Sequence, residues 1–266
     1  MLVGVSIFVE DRMTLMKYFV LFFMVATTAY SDSLDDFIEW QDYSLLYIWG
    51  DGYKINPNDQ HTLSLEHVSK TTFGNTYFFT DFTRYNHSDE PEGLYGEATV
   101  RFSYNKIFNK DFSLGPIKDV LLATSQEFGK GPVETFLIGP AVDLDLPGFD
   151  YFQLNLYNRI PVASDDISRG WQLTPVWGMT IPVGRSEIVF DGFVDWVFYS
   201  GNDNHENYIH ANPELKYNIG KAFFRNDLRL YVGVGWDYWS NKYGIKDGRG
   251  RDSDQNVLSL LIKYHF

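Results

Sequence analysis

Hydrophobic and polar residues alternate one for one along much of this chain. Residues 96–104 set Ala98, Val100, Phe102 and Tyr104 against Glu97, Thr99, Arg101 and Ser103. Residues 152–159 set Phe152, Leu154 and Leu156 against Gln153, Asn155, Tyr157 and Arg159. Residues 211–219 set Ala211, Pro213, Leu215, Tyr217 and Ile219 against Asn212, Glu214, Lys216 and Asn218. A period of two marks a strand whose faces meet different surroundings. The pattern predicts twelve strands, near 40–49, 61–68, 75–84, 95–105, 117–126, 133–144, 151–160, 171–181, 187–199, 209–219, 228–239 and 256–266.

The connections alternate too. Polar stretches such as 86–93, 200–207 and 240–254 follow the odd strands, whereas tight ones such as 182–186 and 146–149 follow the even ones. Segment 106–116 breaks the rule as a long connection on the short side. An even strand count with long loops at one end and short turns at the other predicts an all-β, transmembrane antiparallel barrel forming one domain. The last strand puts Leu258, Leu260, Ile262, Tyr264 and Phe266 on one face. Tyr264 and the terminal Phe266 are the expected signal for the barrel-assembly machinery. Trp40, Trp49, Tyr95, Tyr104, Trp171, Trp196, Phe198, Tyr217 and Tyr264 are expected near strand ends or on the outward face, as interfacial belts.

The N-terminus reads as an address. Lys17 precedes the apolar run 18–26, and Ala29-Tyr30-Ser31 offers a cleavage site. Residues 1–31 are therefore expected to be a signal peptide and 32–266 the barrel; Glu10 and Asp11 suggest a true start at Met13 or Met16. The run is too short for the roughly 20 residues that a membrane helix needs. Export implies periplasmic chaperones on the way to the outer membrane of a Gram-negative cell. The net charge of −13 opposes nucleic-acid binding, which needs cations for phosphates. The absence of cysteine excludes disulfides and thiolate chemistry.

The stretch Arg101-Phe-Ser, with Asp111-x-Ser113-x-Gly115-Pro116 and Lys118 followed by Asp119, resembles the nucleoside-specific channel-forming outer-membrane proteins, the Tsx-like and OmpK-like family. Weaker likenesses are Leu63-x-x-Glu66, Tyr77 with Asp81, Asp143-x-Asp145 before Leu146-Pro147, and Asn155-x-Tyr157. The resemblance implies a monomeric twelve-stranded barrel whose narrow lumen passes nucleosides and whose loops serve phages.

Alternation assigns the lumen. Glu66, Tyr77, Phe79, Asp81, Glu97, Arg101, Tyr157, Arg159, Asp191, Phe193, Asp195 and Tyr231 are the candidate substrate contacts, with Ser64, Asp143, Asn155, Glu214, Lys216 and Asp237 beside them. Rings could stack a base, and carboxylates and guanidinium groups could bond hydroxyls and base edges. Facing acids and bases could equally pair to fill the interior. The alternative reading of the whole is a surface receptor or adhesin with a plugged lumen. A barrel hydrolase has little support, since no Gly-x-Ser-x-Gly or recognisable Ser/His spacing occurs. His205 with His210, and Asp247 with Asp252 and Asp254, do not match a metal-binding pattern, so neither cofactor nor metal is expected.

Overall fold

The alternation becomes register in the computed structural model. It describes residues 37–266 apart from 91, 131–132, 163–168, 200–204, 226 and 249. The expected signal peptide lies outside the described residues. Twelve strands follow in chain order: β1 (Ile38–Gly50), β2 (Gln60–Thr71), β3 (Gly74–Tyr85), β4 (Gly93–Ser103), β5 (Ile117–Gly129), β6 (Thr135–Leu144), β7 (Tyr151–Pro161), β8 (Gly170–Val183), β9 (Ser186–Phe198), β10 (Tyr208–Asn218), β11 (Leu230–Ser240) and β12 (Gln255–His265). Neighbours in sequence are neighbours in the sheet, and β1 pairs antiparallel with β12 to close the barrel. Closure removes the edges that would otherwise leave backbone N–H and C=O groups bare in hydrocarbon. Among the described residues no helix is long and apolar enough to cross a membrane.

Burial separates the two faces of each strand. On β12, Leu258, Leu260, Ile262 and Tyr264 point outward and exposed, whereas Val257, Ser259, Leu261 and Lys263 point inward and are buried. The Phe266 N–H donates to the Tyr43 carbonyl, and its ring stacks 6.1 Å from those of Tyr43 and Tyr264. This contact fastens the chain's last residue to the first strand.

The short side carries turns as predicted. Gly184 opens the β8–β9 turn at a φ of +59°, the left-handed geometry that a two-residue hairpin turn needs. The long connection there has its own order. Ser103 stops β4 by capping helix α1 (Tyr104–Phe108), its hydroxyl accepting the Lys106 N–H at 3.0 Å. Asn105 then bonds Phe112 and the Lys118 carbonyl, and Asp119 accepts the Asn105 N–H at 3.2 Å. The stretch that carried the resemblance is thus a self-bonded cap on the β4–β5 hairpin. Tyr104, expected on a strand, lies on this helix because Ser103 caps it. Tyr95, expected in the belts, turns inward with Glu97, whose carboxylate accepts its hydroxyl at 2.7 Å. Of the remaining belt residues, Trp49, Trp171, Trp196 and Phe198 lie outward toward the loop end and Tyr217 and Tyr264 outward toward the turn end, whereas Trp40, exposed at the turn end of β1, has the parity of the inward Asp42 and Ser44.

Candidate functional site

The inward faces hold a chain of ion pairs. Arg101 pairs with Asp143 at 2.7 Å and donates from Nε to Asn155 at 2.9 Å. Arg159 grips Glu127 through both Nη atoms, at 3.0 and 2.8 Å, and also donates to Gln172. Lys216 sits between Asp191 and Glu214, 2.6 Å from each. Lys263 meets Glu66 at 2.5 Å, and Ser44 donates to the same carboxylate at 2.8 Å. Apart from Glu214, two residues from Lys216 on the same strand, these partners are far apart in sequence and meet because closed register turns them to one interior. Burying a charge unpaired would be costly, so each cation's partners are a condition of its burial.

Further acids have only neutral or weak partners. Asp195 accepts from Gln172 at 2.8 Å and Thr174 at 2.6 Å. Glu97 accepts from Tyr95 and, at 3.3 Å, from Ser125. Asp81 stands directly opposite Ser64. Asp237 lies 3.3 Å from His210.

The lumen is unevenly filled. Leu121, Ala123, Leu137, Ala141 and Tyr157 pack into an apolar cluster inside the barrel against β5–β7. Tyr157, at 4% exposure, belongs to that packing, and Arg101 and Arg159 are buried at 2% and 4%. Tyr231 is buried near the turn end, its hydroxyl donating to Glu187. By contrast Tyr77 and Tyr151 face inward yet stay 39% and 45% exposed, so they border open lumen. Tyr151 lies across Gly178 on β8, where a Cβ would fall inside its ring.

Two aromatic groups face each other across the circle of strands. On β3 and β4, Phe79 stands between Tyr77 at 5.7 Å and Tyr95 at 5.8 Å. Phe79 is also directly paired with Glu66 on one side and Glu97 on the other. On β9–β11, His210 stacks on Trp239 at 3.8 Å and 12°, with Phe193 edge-on at 5.0 Å. Every candidate lumen residue faces inward, although Glu66, Arg101, Tyr157, Arg159, Asp191 and Tyr231 are spent on packing and pairing. Sequence reading passed over Tyr95, Tyr151, His210 and Trp239 as wall contributors. The same alternation that placed Glu97, Gln153, Glu214 and Asp237 inward was the signal that could have found them.

The loop end is partly roofed. Tyr53, on the β1–β2 loop, reaches Ser259 on the inner face of β12 at 2.9 Å. Lys242, on the β11–β12 loop, is 3% exposed and lies over the rings of Tyr53, Trp239 and Tyr243 at 5.7, 5.7 and 5.2 Å. Its ammonium donates to Gln255 at 2.6 Å. Burial pushes this amine down to about 8 against the pull of Asp237, and burial pushes the Tyr53 phenol up to about 12. Lys54–Asp252 and Asn56–Tyr243 tie the same two loops together.

The family described as nucleoside-specific channel-forming protein, Tsx, matches residues 33–266. Outer membrane protein OmpK of Vibrio parahaemolyticus is 23% identical over 240 residues, spanning 86% of this chain and 88% of that protein. Among solved structures, Acinetobacter baumannii Omp33 superposes with a TM-score of 0.39 at 9% identity, covering 87% of this chain and 99% of its own. Pseudomonas aeruginosa OccK11 (OpdR) gives 0.37 at 8%, covering 85% and 95%.

Proposed function

The chain belongs to the family of nucleoside-specific channel-forming Tsx proteins, and on that premise we propose that it is a channel for passive uptake of nucleosides. It is an outer-membrane β-barrel, so its turn end faces the periplasm and its long loops face outward. Family and fold together make it a channel rather than an enzyme.

The observation that carries the reading is the pair of inward aromatic groups on opposite walls, each beside carboxylates that no lysine or arginine of the wall pairs, with Asp237 set 3.3 Å from His210. Tyr77, Phe79 and Tyr95 border Asp81 and Glu97; Phe193, His210 and Trp239 border Asp195 and Asp237. A nucleoside offers a flat base for the rings and ribose hydroxyls for the carboxylates. Several weak stations along a narrow path suit conduction, because a solute that binds must also leave. The ion-paired Arg101, Arg159, Lys216 and Lys263 rigidify the wall around this path.

In planar bilayers, adenosine or thymidine added to the purified barrel should reduce single-channel current, and free sugars of similar size should do so far less. Phe193→Ala should weaken that block by about 1 kcal/mol, part of the roughly 1–3 kcal/mol of a base–aromatic stack, because other platforms remain. A current indifferent to nucleosides but blocked by sugars would overturn the substrate assignment. Phages and the assembly machinery belong to this proposal as partners of the loops and of the C-terminal strand.

A further inference from the structure

Two connections at the periplasmic end are not tight turns, and they stand six strands apart in a circle of twelve. Helix α1 and the segment to residue 116 join β4 to β5, and a π-helical turn, Gly220–Phe224, joins β10 to β11. Both leave large apolar side chains uncovered. Ile107, Phe108 and Leu114 are exposed on the first, and Phe223 and Phe224, at 70% and 69%, on the second. Tyr104 gathers Phe108 and Phe112 around it at 5.1 and 6.4 Å, so the first is an aromatic knob rather than scattered residues.

Two observations say what covers them. Each knob continues an outward wall that meets lipid: Phe102, Val120 and Leu122 adjoin the first, and Leu215 and Tyr217 adjoin the second. Each also carries cations, in a chain of net charge −13 whose outer β3–β4 loop holds Asp89, Glu90 and Glu92. Lys106, Lys110 and Lys118 accompany the first knob, and Lys221 and Arg225 the second. Lys106 reaches the Thr71 carbonyl at 2.5 Å and Lys221 pairs with Glu187 at 2.6 Å beside Asn218 and Tyr231, so the cations turned to the outside are the exposed Lys110 and Lys118 on the first connection and, 3.5 Å from an equally exposed Asp227, Arg225 on the second.

We propose that the two connections are interfacial anchors for anionic phospholipids of the periplasmic leaflet. Their apolar side chains enter the acyl-chain boundary, and their cations lie at the level of the lipid phosphates. Placed on opposite sides of the barrel, they resist tilting about the axis between them less than about the axis across it, and so fix its seating in one plane. The inference depends on the barrel lying in the outer membrane, and not on which solute passes through it.

Because the chain has no cysteine, single-cysteine variants of the full barrel can be labelled cleanly. Phe108→Cys and Phe223→Cys, with Asp89→Cys as the aqueous reference, are given an environment-sensitive fluorophore in phosphatidylglycerol vesicles. Iodide should quench the first two about tenfold less than the reference, and lipids spin-labelled near the headgroup should quench them strongly. Iodide access equal to the reference at either site overturns the anchor at that site. Independently of these replacements, spin-labelled phosphatidylglycerol should associate with the unaltered barrel about threefold more than phosphatidylcholine, and Lys110→Glu with Arg225→Glu should abolish the preference. No preference in the unaltered barrel, or one that the double variant leaves intact, overturns the choice of lipid.

Discussion

Arg159 and Glu127 show what a single inward residue is for. Both are nearly buried, and two parallel hydrogen bonds join them. Glu127→Ala would leave a guanidinium without its carboxylate inside the barrel, at a cost of about 3–5 kcal/mol. Urea titration of the barrel folded into lipid vesicles should register that loss. Glu127→Leu with Arg159→Met should recover most of it, because the double change removes both charges together. A single variant as stable as the parent would show that the pair contributes nothing. Arg159, a ligand candidate from its position in the sequence, therefore serves as a strut. Its donors are already engaged by Glu127 and Gln172.

At the scale of the strand, facing outweighs residue type. Leu156 points to lipid from the middle of β7, and Gln153 points to the lumen on the same strand. Leu156→Arg should destabilise folding into vesicles by about 2–4 kcal/mol, whereas Gln153→Arg should cost far less and alter conductance instead. The reverse order would mean that β7 is faced wrongly. Asn155 is also inward, yet it is not a tolerant site. It is 2% exposed and accepts from Arg101 while donating to the Thr174 carbonyl, so an arginine there would set two cations together. The last strand carries a different test. Deleting Phe266 should leave export to the periplasm intact while the folded, heat-modifiable barrel disappears from the outer membrane on unheated gels. Normal folded barrel in that variant would remove Phe266 from the assembly signal.

Across the whole molecule, charge sets what the channel should refuse. Arg101, Arg159, Lys216 and Lys263 are each matched by carboxylates, while Asp81, Glu97 and Asp195 face the lumen beside hydroxyl and amide groups. A narrow path walled by low-dielectric protein focuses that negative bias. A nucleoside monophosphate should therefore block at least about tenfold more weakly than its nucleoside at 0.1 M salt, and the gap should narrow at 1 M, where the screening length falls from about 10 to about 3 Å. Equal block at low salt would mean that the net bias does not act on the solute.

The sequence by itself determined the strands, their number and their faces. Alternation is local: whether Glu97 or Ala98 meets lipid follows from a period of two, which needs no knowledge of the rest of the chain. For the same reason a period of two is enough to turn Glu97, Arg101, Tyr157 and Arg159 to one face of their strands. The cap at 104–116 was visible only as an anomaly in length, because its order comes from Asn105 and Asp119 reaching across a loop. What only the tertiary structure decided was partnership and vacancy. Lys263 finds Glu66 because closure brings β12 against β1 and so near β2, a proximity that no local pattern encodes. Likewise Tyr157 and Tyr151 share one strand and one face, yet one is packed among Leu121 and Leu137 while the other borders open lumen. Facing is a property of a strand, but the space in front of a side chain belongs to the opposite wall.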